Sequence, residues 1–173
     1  MHPARCLPAV VLLAACGACA GRSTPPRLPG SALPARTEPS KRPPVHTDSP
    51  IVRTALALEG TRYQAGGANR AGMDCSGLVQ YVYAENGIAL PRLVTEQFAV
   101  GKPVPLSKVQ PGDLVFFSPK GPPTHVGIVV DRDTFVHAPK TSTVVRVDRL
   151  SNGYWTQQFA GARRVLGTVR PAR

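Results

Sequence analysis

Acidic residues are scarce in this 173-residue chain: 10 Asp+Glu stand against 21 Lys+Arg, for a formal net charge of +11. Aromatics are few as well, with one Trp, four Tyr and five Phe making up 6% of the residues. No stretch interleaves those rings with basic residues, which is how single-stranded nucleic acid is gripped, and this argues against a nucleic-acid partner. Long apolar runs are also missing. Leu7–Ala15 is nine residues long, against roughly 20 for a spanning helix, which excludes a multi-span membrane protein. There are only four cysteines, and three of them fall within the first 19 residues, which leaves no pair to cross-link the rest of the chain. No segment repeats.

What is present suits one globular domain with a long leader. Apolar residues make up 42% of the chain and charged residues 18%, enough to build a core. Proline is unevenly spread: of 19, eight fall between Arg22 and Pro50 and nine in the 123 residues after it. Residues 1–21 read as an export segment, with Arg5 as the positive start and Leu7–Ala15 as its apolar part. Leu13-Ala14-Ala15-Cys16 resembles the bacterial lipobox, in which the cysteine thiol is acylated and becomes the new N-terminus. Ala18-x-Ala20 is the alternative, an ordinary signal-peptidase site. Gly17 after Cys16 implies the outer membrane, facing the periplasm, in a double-membraned cell. Residues 22–49, rich in Pro, Ser, Thr and Arg, cannot bury enough surface to offset chain entropy and form a tether. Residues 50–173 form the folded domain, expected to act as a monomer. From Ile51 onward it holds 15 Lys+Arg against 8 Asp+Glu, a net of +7, which suits an acidic extracytoplasmic polymer.

Helices come first and strands after. Ser49-Pro50 caps a helix that Gly60 stops, with Ile51, Val52, Ala55 and Leu56 on one face. A second helix runs from Cys75 to about Asn86, with Leu78, Val79, Val82 and Tyr83 at helical spacing and Gly87 past its end. A short third helix spans about Thr95–Val100. Strands follow at Leu114–Phe117, Val126–Val130, Thr134–Ala138, Thr143–Val147 and Ala162–Leu166. The pattern is that of an α+β domain, an antiparallel meander with helices on one side.

Cys6 leaves with the signal, Cys16 is the candidate for lipidation and Cys19 precedes the domain, so Cys75 stands alone in it. Asp74-Cys75-Ser76-Gly77 follows a Gly-rich loop and opens a helix. There the macrodipole and free N–H groups favour thiolate and lower the thiol pKa, and the same N–H groups can stabilise an oxyanion. Asp74 reads equally as an N-cap and as a substrate ligand. A thiolate catalyst needs a base, and His125 and His137 are the two histidines of the domain. With Asp131-Arg132-Asp133 as a three-residue turn, His137 is the diagonal neighbour of His125 on one face, about 7–8 Å away at Cα. One ring then acts as base and the other orients it. Zinc is the weaker reading of the same three residues, since they lack its short local spacing.

Six ordered motifs carry a resemblance: Gly60–Gly67 with Tyr63, Asp74–Tyr83, Leu90-Pro91-Arg92 with Gln97, Pro111–Phe117, His125–Ile128 and His137-Ala138-Pro139. Together they are similar to the NlpC family of papain-like bacterial cell-wall cysteine peptidases over roughly residues 50–168. The resemblance implies the papain-like NlpC fold, N-terminal helices packed on a central antiparallel sheet. It implies hydrolysis of peptidoglycan stem peptides, commonly between γ-D-glutamate and a diamino acid, without metal or organic cofactor. By resemblance Cys75 is the nucleophile, His125 the base, His137 the residue that orients it and Tyr63 an oxyanion ligand. Asp74, Ser76 and Arg92 fall where the stem's amine and carboxylates are held. Arg62 and Ala65 replace the family's usual proline and large aromatic, which implies a wider cleft beside Tyr63. A thiol amidase or acyltransferase of the same fold, and a wall-binding module without turnover, are the alternatives.

Overall fold

The computed structural model describes residues 48–140 and 143–165. The export segment, Cys16 and the tether up to residue 47 lie outside the described residues. Among the described residues no helix is long and apolar enough to cross a membrane.

Helix α1 (Pro50–Leu56) starts as its sequence dictates: Ser49 Oγ accepts from Val52 N and Pro50 takes the first turn, where a missing N–H costs nothing. Val52 and Ala55 are fully buried, and Gly60 turns the chain away with φ +85°. Strands β1 (Ala68–Asn69) and β2 (Gly72–Met73) form a small hairpin that the sequence presented only as a Gly-rich loop. Helix α2 (Cys75–Glu85) buries Leu78, Val79, Val82 and Tyr83 completely, each contributing roughly 1.5–3 kcal/mol of transfer free energy. Helix α3 (Val94–Ala99) follows.

Strands β3 (Lys102–Val104), β4 (Leu114–Phe117), β5 (His125–Val129), β6 (Thr134–His137), β7 (Arg146–Arg149) and β8 (Phe159–Arg164) make one antiparallel sheet. Its order is β3-β8-β4-β5-β6-β7, so the last strand inserts between β3 and β4 and the sheet is not a simple meander. Leu114, Phe116, Val126, Ile128 and Val136 meet α1 and α2 on one face. Val115, Phe117, Val129 and Phe135 meet Leu150 and Trp155 on the other. Burial on both faces explains the unbroken apolar run of β4.

Two expectations are corrected. Helix α4 (Gly153–Gln158) brings Trp155 to the face opposite α1 and α2, so helices cover both sides. Residues 143–145 are extended but pair with the 60–63 segment: Tyr63 N donates to Thr143 O at 2.9 Å and Val145 N to Thr61 O at 2.8 Å. The sheet strand begins only at Arg146, opposite His137. Pro139 has no N–H with which to carry the β6–β7 ladder further.

Candidate active site

The N-terminus of α2 and the first residue of β5 lie at one end of the sheet. Asp74 caps α2, its Oδ1 accepting from Gly77 N at 2.8 Å, and its Oδ2 accepts from Gly66 N at 2.8 Å. Gly77 cannot be larger, because a Cβ there would lie 2.0 Å from Gly67 O. The Gly-rich loop is thereby pressed on the first turn of the helix. Tyr63 is carried beside Cys75 by the backbone bonds from residues 60–64 to residues 73 and 143–145.

Cys75 is a free, partly buried thiol at the first position of α2. Burial pushes its pKa up and the Asp74 carboxylate adds to this, while N–H groups of Val126, Ser76 and Cys75 itself pull it down. The balance is upward, which corrects the expectation of a lowered pKa: desolvation outweighs the helix terminus. The contact from Val126 places the sulfur against the residue next to His125.

His125 and His137 lie on one face, as the register Ile128↔Val136 and Val129↔Phe135 requires. Their Nε2 and Nδ1 atoms are 2.8 Å apart. Gly127 permits this, since a Cβ there would come 2.5 Å from Phe135 Cδ2 and 3.2 Å from His137 Cβ. His137 Nε2 is 3.0 Å from Asp148 Oδ2, which also accepts from Trp155 Nε1 at 3.1 Å and Arg146 Nη2 at 3.0 Å. Burial opposes the ionisation of Asp148, but bonds from His137 and Arg146 outweigh it and hold the carboxyl well below its usual range. Burial lowers His125, the neighbouring His137 lowers it further, and Asp148 only partly compensates, leaving it near 3. Burial lowers His137 too.

These protonation states fix the tautomers from the outside in. An ionised Asp148 only accepts, so His137 carries its proton on Nε2 and offers Nδ1 as acceptor. His125 must then donate from Nε2, which leaves its Nδ1 as the basic nitrogen. Trp155 stacks on His125 with centroids 5.3 Å apart and an interplanar angle of 21°.

The other expected site residues form a second cluster. Arg92 donates to Asp74 Oδ2 at 2.6 Å and to Ser76 Oγ at 2.7 Å, while buried Gln97 ties Ser76 O to Pro91 O through Nε2. Burial raises Tyr63, and the charges at Cys75 and Asp74 add to that, so its hydroxyl keeps its proton as a donor. Among the described residues no three His, Cys, Asp or Glu side chains are placed to hold a metal ion. Sequence reasoning missed Asp148 and Trp155. The available signal for Asp148 was its alternation with Val145 and Val147.

The family model described as NlpC/P60 matches residues 60–164. The chain belongs to the NlpC/P60 family. One NlpC/P60 relative, the Escherichia coli (strain K12) murein DD-endopeptidase MepS/murein LD-carboxypeptidase, is 39% identical over 123 residues, 70% of this chain and 65% of its own length. The Bacillus subtilis (strain 168) gamma-DL-glutamyl hydrolase is 39% identical over 125 residues, 70% of this chain and 30% of that protein. The crystal structure of an NlpC/P60 family protein from Bacillus cereus ATCC 10987 superposes with a TM-score of 0.66 at 30% identity, covering 68% of this chain and 40% of that one. The chain thus spans less than two thirds of these relatives, and what it shares with them is the NlpC/P60 domain and its fold.

Proposed function

We propose that this protein is a peptidoglycan endopeptidase that hydrolyses the γ-D-glutamyl–diamino acid bond of stem peptides. The observation that carries the reading is the chain of contacts from Asp148 through His137 to His125, beside a lone thiol at a helix N-terminus. In the reaction His125 Nδ1 takes the Cys75 proton as sulfur attacks the carbonyl carbon. The carbonyl electron pair moves to oxygen, where the Cys75 N–H and the Tyr63 hydroxyl stabilise it. Collapse breaks the C–N bond, and the imidazolium gives its proton to the leaving amine. Water then adds to the thioester as His125 takes its proton, and the thiolate leaves and is reprotonated. Burial disfavours either charge alone. The thiolate–imidazolium pair instead forms as one unit, held by His137 and Asp148.

Asp74, Ser76 and Arg92 present both signs of charge beside the nucleophile, which suits the free amine and carboxylate of the stem. Cys16 anchors the protein by lipid, facing the periplasm. A second reading of the bond comes from the E. coli relative, named a DD-endopeptidase at 39% identity: cleavage at the cross-link, with the same groups in the same roles. Incubation of L-Ala-γ-D-Glu-meso-diaminopimelate-D-Ala, free and cross-linked, with the full chain and with Cys75→Ala separates these by mass spectrometry. Release of a diaminopimelate–alanine dipeptide by the native chain alone establishes the first bond. Separation of the cross-linked dimer into intact monomers establishes the second. Intact peptides throughout would overturn both.

A further inference from the structure

At the end of the sheet away from His125, a cavity of about 560 Å³ has Lys108, Arg132 and Arg164 in its lining and no carboxylate. Its place follows from the register. Phe117 pairs with His125 at the catalytic end of β4 and β5, whereas Leu114 pairs with Ile128 and Gly112 N donates to Val129 O at 2.8 Å. At about 3.3 Å per residue the two ends of β5 stand roughly 13 Å apart. The cavity is built from the segment just before Gly112 and from the turn that carries Arg132. The carboxylates nearby are already engaged. Asp113 accepts from Arg164 Nε and Nη2 at 2.8 Å each, Asp133 from Arg149 Nη1 at 3.0 Å, and Asp131 Oδ1 from the N–H groups of Asp133 and Thr134. Among the described residues Lys108 and Arg132, both exposed, enter no ion pair. Leu106 in the same lining is exposed as well.

The chain enters the domain at this same end. A Cβ on Gly112 would lie 3.3 Å from Ser49 Oγ and 3.8 Å from Ile51 Cβ, so the start of α1 packs beside the segment that builds the cavity. We infer that the cavity is a membrane-docking site that takes the phosphate of an anionic phospholipid headgroup, with Lys108 and Arg132 as its cationic ligands and Leu106 against the first methylenes. The inference rests on the anchor reading above, lipid on Cys16, which puts the membrane at the end where the tether arrives. Charge excludes the chain's own flanking segments as occupants. Residues 22–47 carry Arg22, Arg27, Arg36, Lys41 and Arg42 against Glu38 alone, and residues 166–173 carry Arg170 and Arg173 with no acid. A headgroup phosphate supplies the missing charge, and cations close to an anionic bilayer are drawn to it. Docked in this way, the domain turns Cys75 away from the bilayer, toward the polymer it is proposed to cut.

Hydrogen–deuterium exchange reads which face a membrane covers. The full chain, produced in a bacterium, is placed on vesicles of phosphatidylcholine and on vesicles that also hold phosphatidylglycerol, and its intact mass reports whether Cys16 is acylated. Amides of residues 106–110 and 131–133 should exchange more slowly only where phosphatidylglycerol is present. Those of residues 118–121, at the catalytic end, should not change. Lys108→Gln and Arg132→Gln should each lower the ratio of docked to undocked domain about fivefold, and together about 25-fold. Lys120→Gln, which removes an exposed charge from the 118–121 loop, should leave it unchanged. Equal protection on both vesicles would overturn the site, as would protection that survives in the double variant or that Lys120→Gln weakens as much as Lys108→Gln does. The same protection from inorganic phosphate without vesicles would make the ligand a free phosphate and overturn the lipid assignment. An acylated chain without this protection would overturn the site and keep the anchor. Protection in a chain that lacks the acyl group would support the site while the anchor reading fails.

Discussion

Asp148 Oδ2 accepts from His137 Nε2 at 3.0 Å, and this contact on β7 orders the protons of both histidines. Two neutral imidazoles joined at 2.8 Å can be arranged with the proton in either sense. Only a permanently ionised acceptor at the outer end fixes the lone pair of His125 on Nδ1. Asp148→Asn keeps the shape and loses the charge. It should lower kcat about 10²-fold with a KM change under about threefold. It should also move the acid limb of kcat/KM to lower pH, because the carboxylate raises both imidazoles. An unchanged limb with a lowered melting temperature would mark Asp148 as structural only.

Cys75 at a helix N-terminus sits beside a carboxylate, and the two influences oppose each other. Burial, with Asp74 adding to it, outweighs the backbone N–H groups. Alkylation of the free protein by iodoacetamide should therefore have its midpoint above the ordinary thiol value of about 8.5. Asp74→Asn should lower that midpoint. A native midpoint below about 7 would instead mean a thiolate–imidazolium pair formed before substrate arrives.

Much of the site was legible in the sequence because its signals are local. Asp74 before Cys75 and Gly77 after it announce a capped helix start, and the turn at 131–133 fixes which face His125 and His137 share. Asp148 was hidden because residues 143–147 looked like the strand. Thr143 and Val145 instead bond to the 61–63 segment, a pairing between stretches some 80 residues apart that no local pattern reveals. Helix α4 has six residues with Gly153 among them, too few for an amphipathic period to show. Strand β3 contains Pro103, which reads as a break and is tolerated because β3 is an edge strand.

Acid should destabilise the fold before the carboxylates titrate. His125 has an ordinary value of 6.5 and is held near 3 in the folded protein. Below pH 6.5 the unfolded chain binds a proton that the folded chain refuses, so stability falls as pH drops through this window toward 3. Asp74 and Asp148, both lowered, lose their contributions only below about pH 4. Urea unfolding between pH 6.5 and pH 4.5 should show a loss of about 2 kcal/mol, less than the full shift because this window covers only its upper part. His125→Gln should flatten most of that slope. A slope equal in native and variant would assign the loss to other groups.

Gly77 tests whether the Gly-rich loop and the helix start act as one piece. A methyl group there would lie 2.0 Å from Gly67 O and 3.1 Å from Asp74 Oδ1. The first neighbour is backbone and cannot swing aside as a side-chain end would. Gly77→Ala must therefore push the loop off the helix, breaking the bond from Asp74 N to Gly67 O and loosening Arg92, which also donates to Gly67 O. The expected cost is about 1–3 kcal/mol of stability. A larger fall in kcat/KM than in kcat should accompany it, since the Arg92 cluster is proposed to bind the stem and not to move protons. Gly60→Ala is the comparison. Gly60 has a positive φ of +85° but no atom within 4 Å of its Cβ position, so its cost is backbone strain alone. Equal kinetic effects from the two substitutions would show that the loop's contact with α2 does not position the substrate.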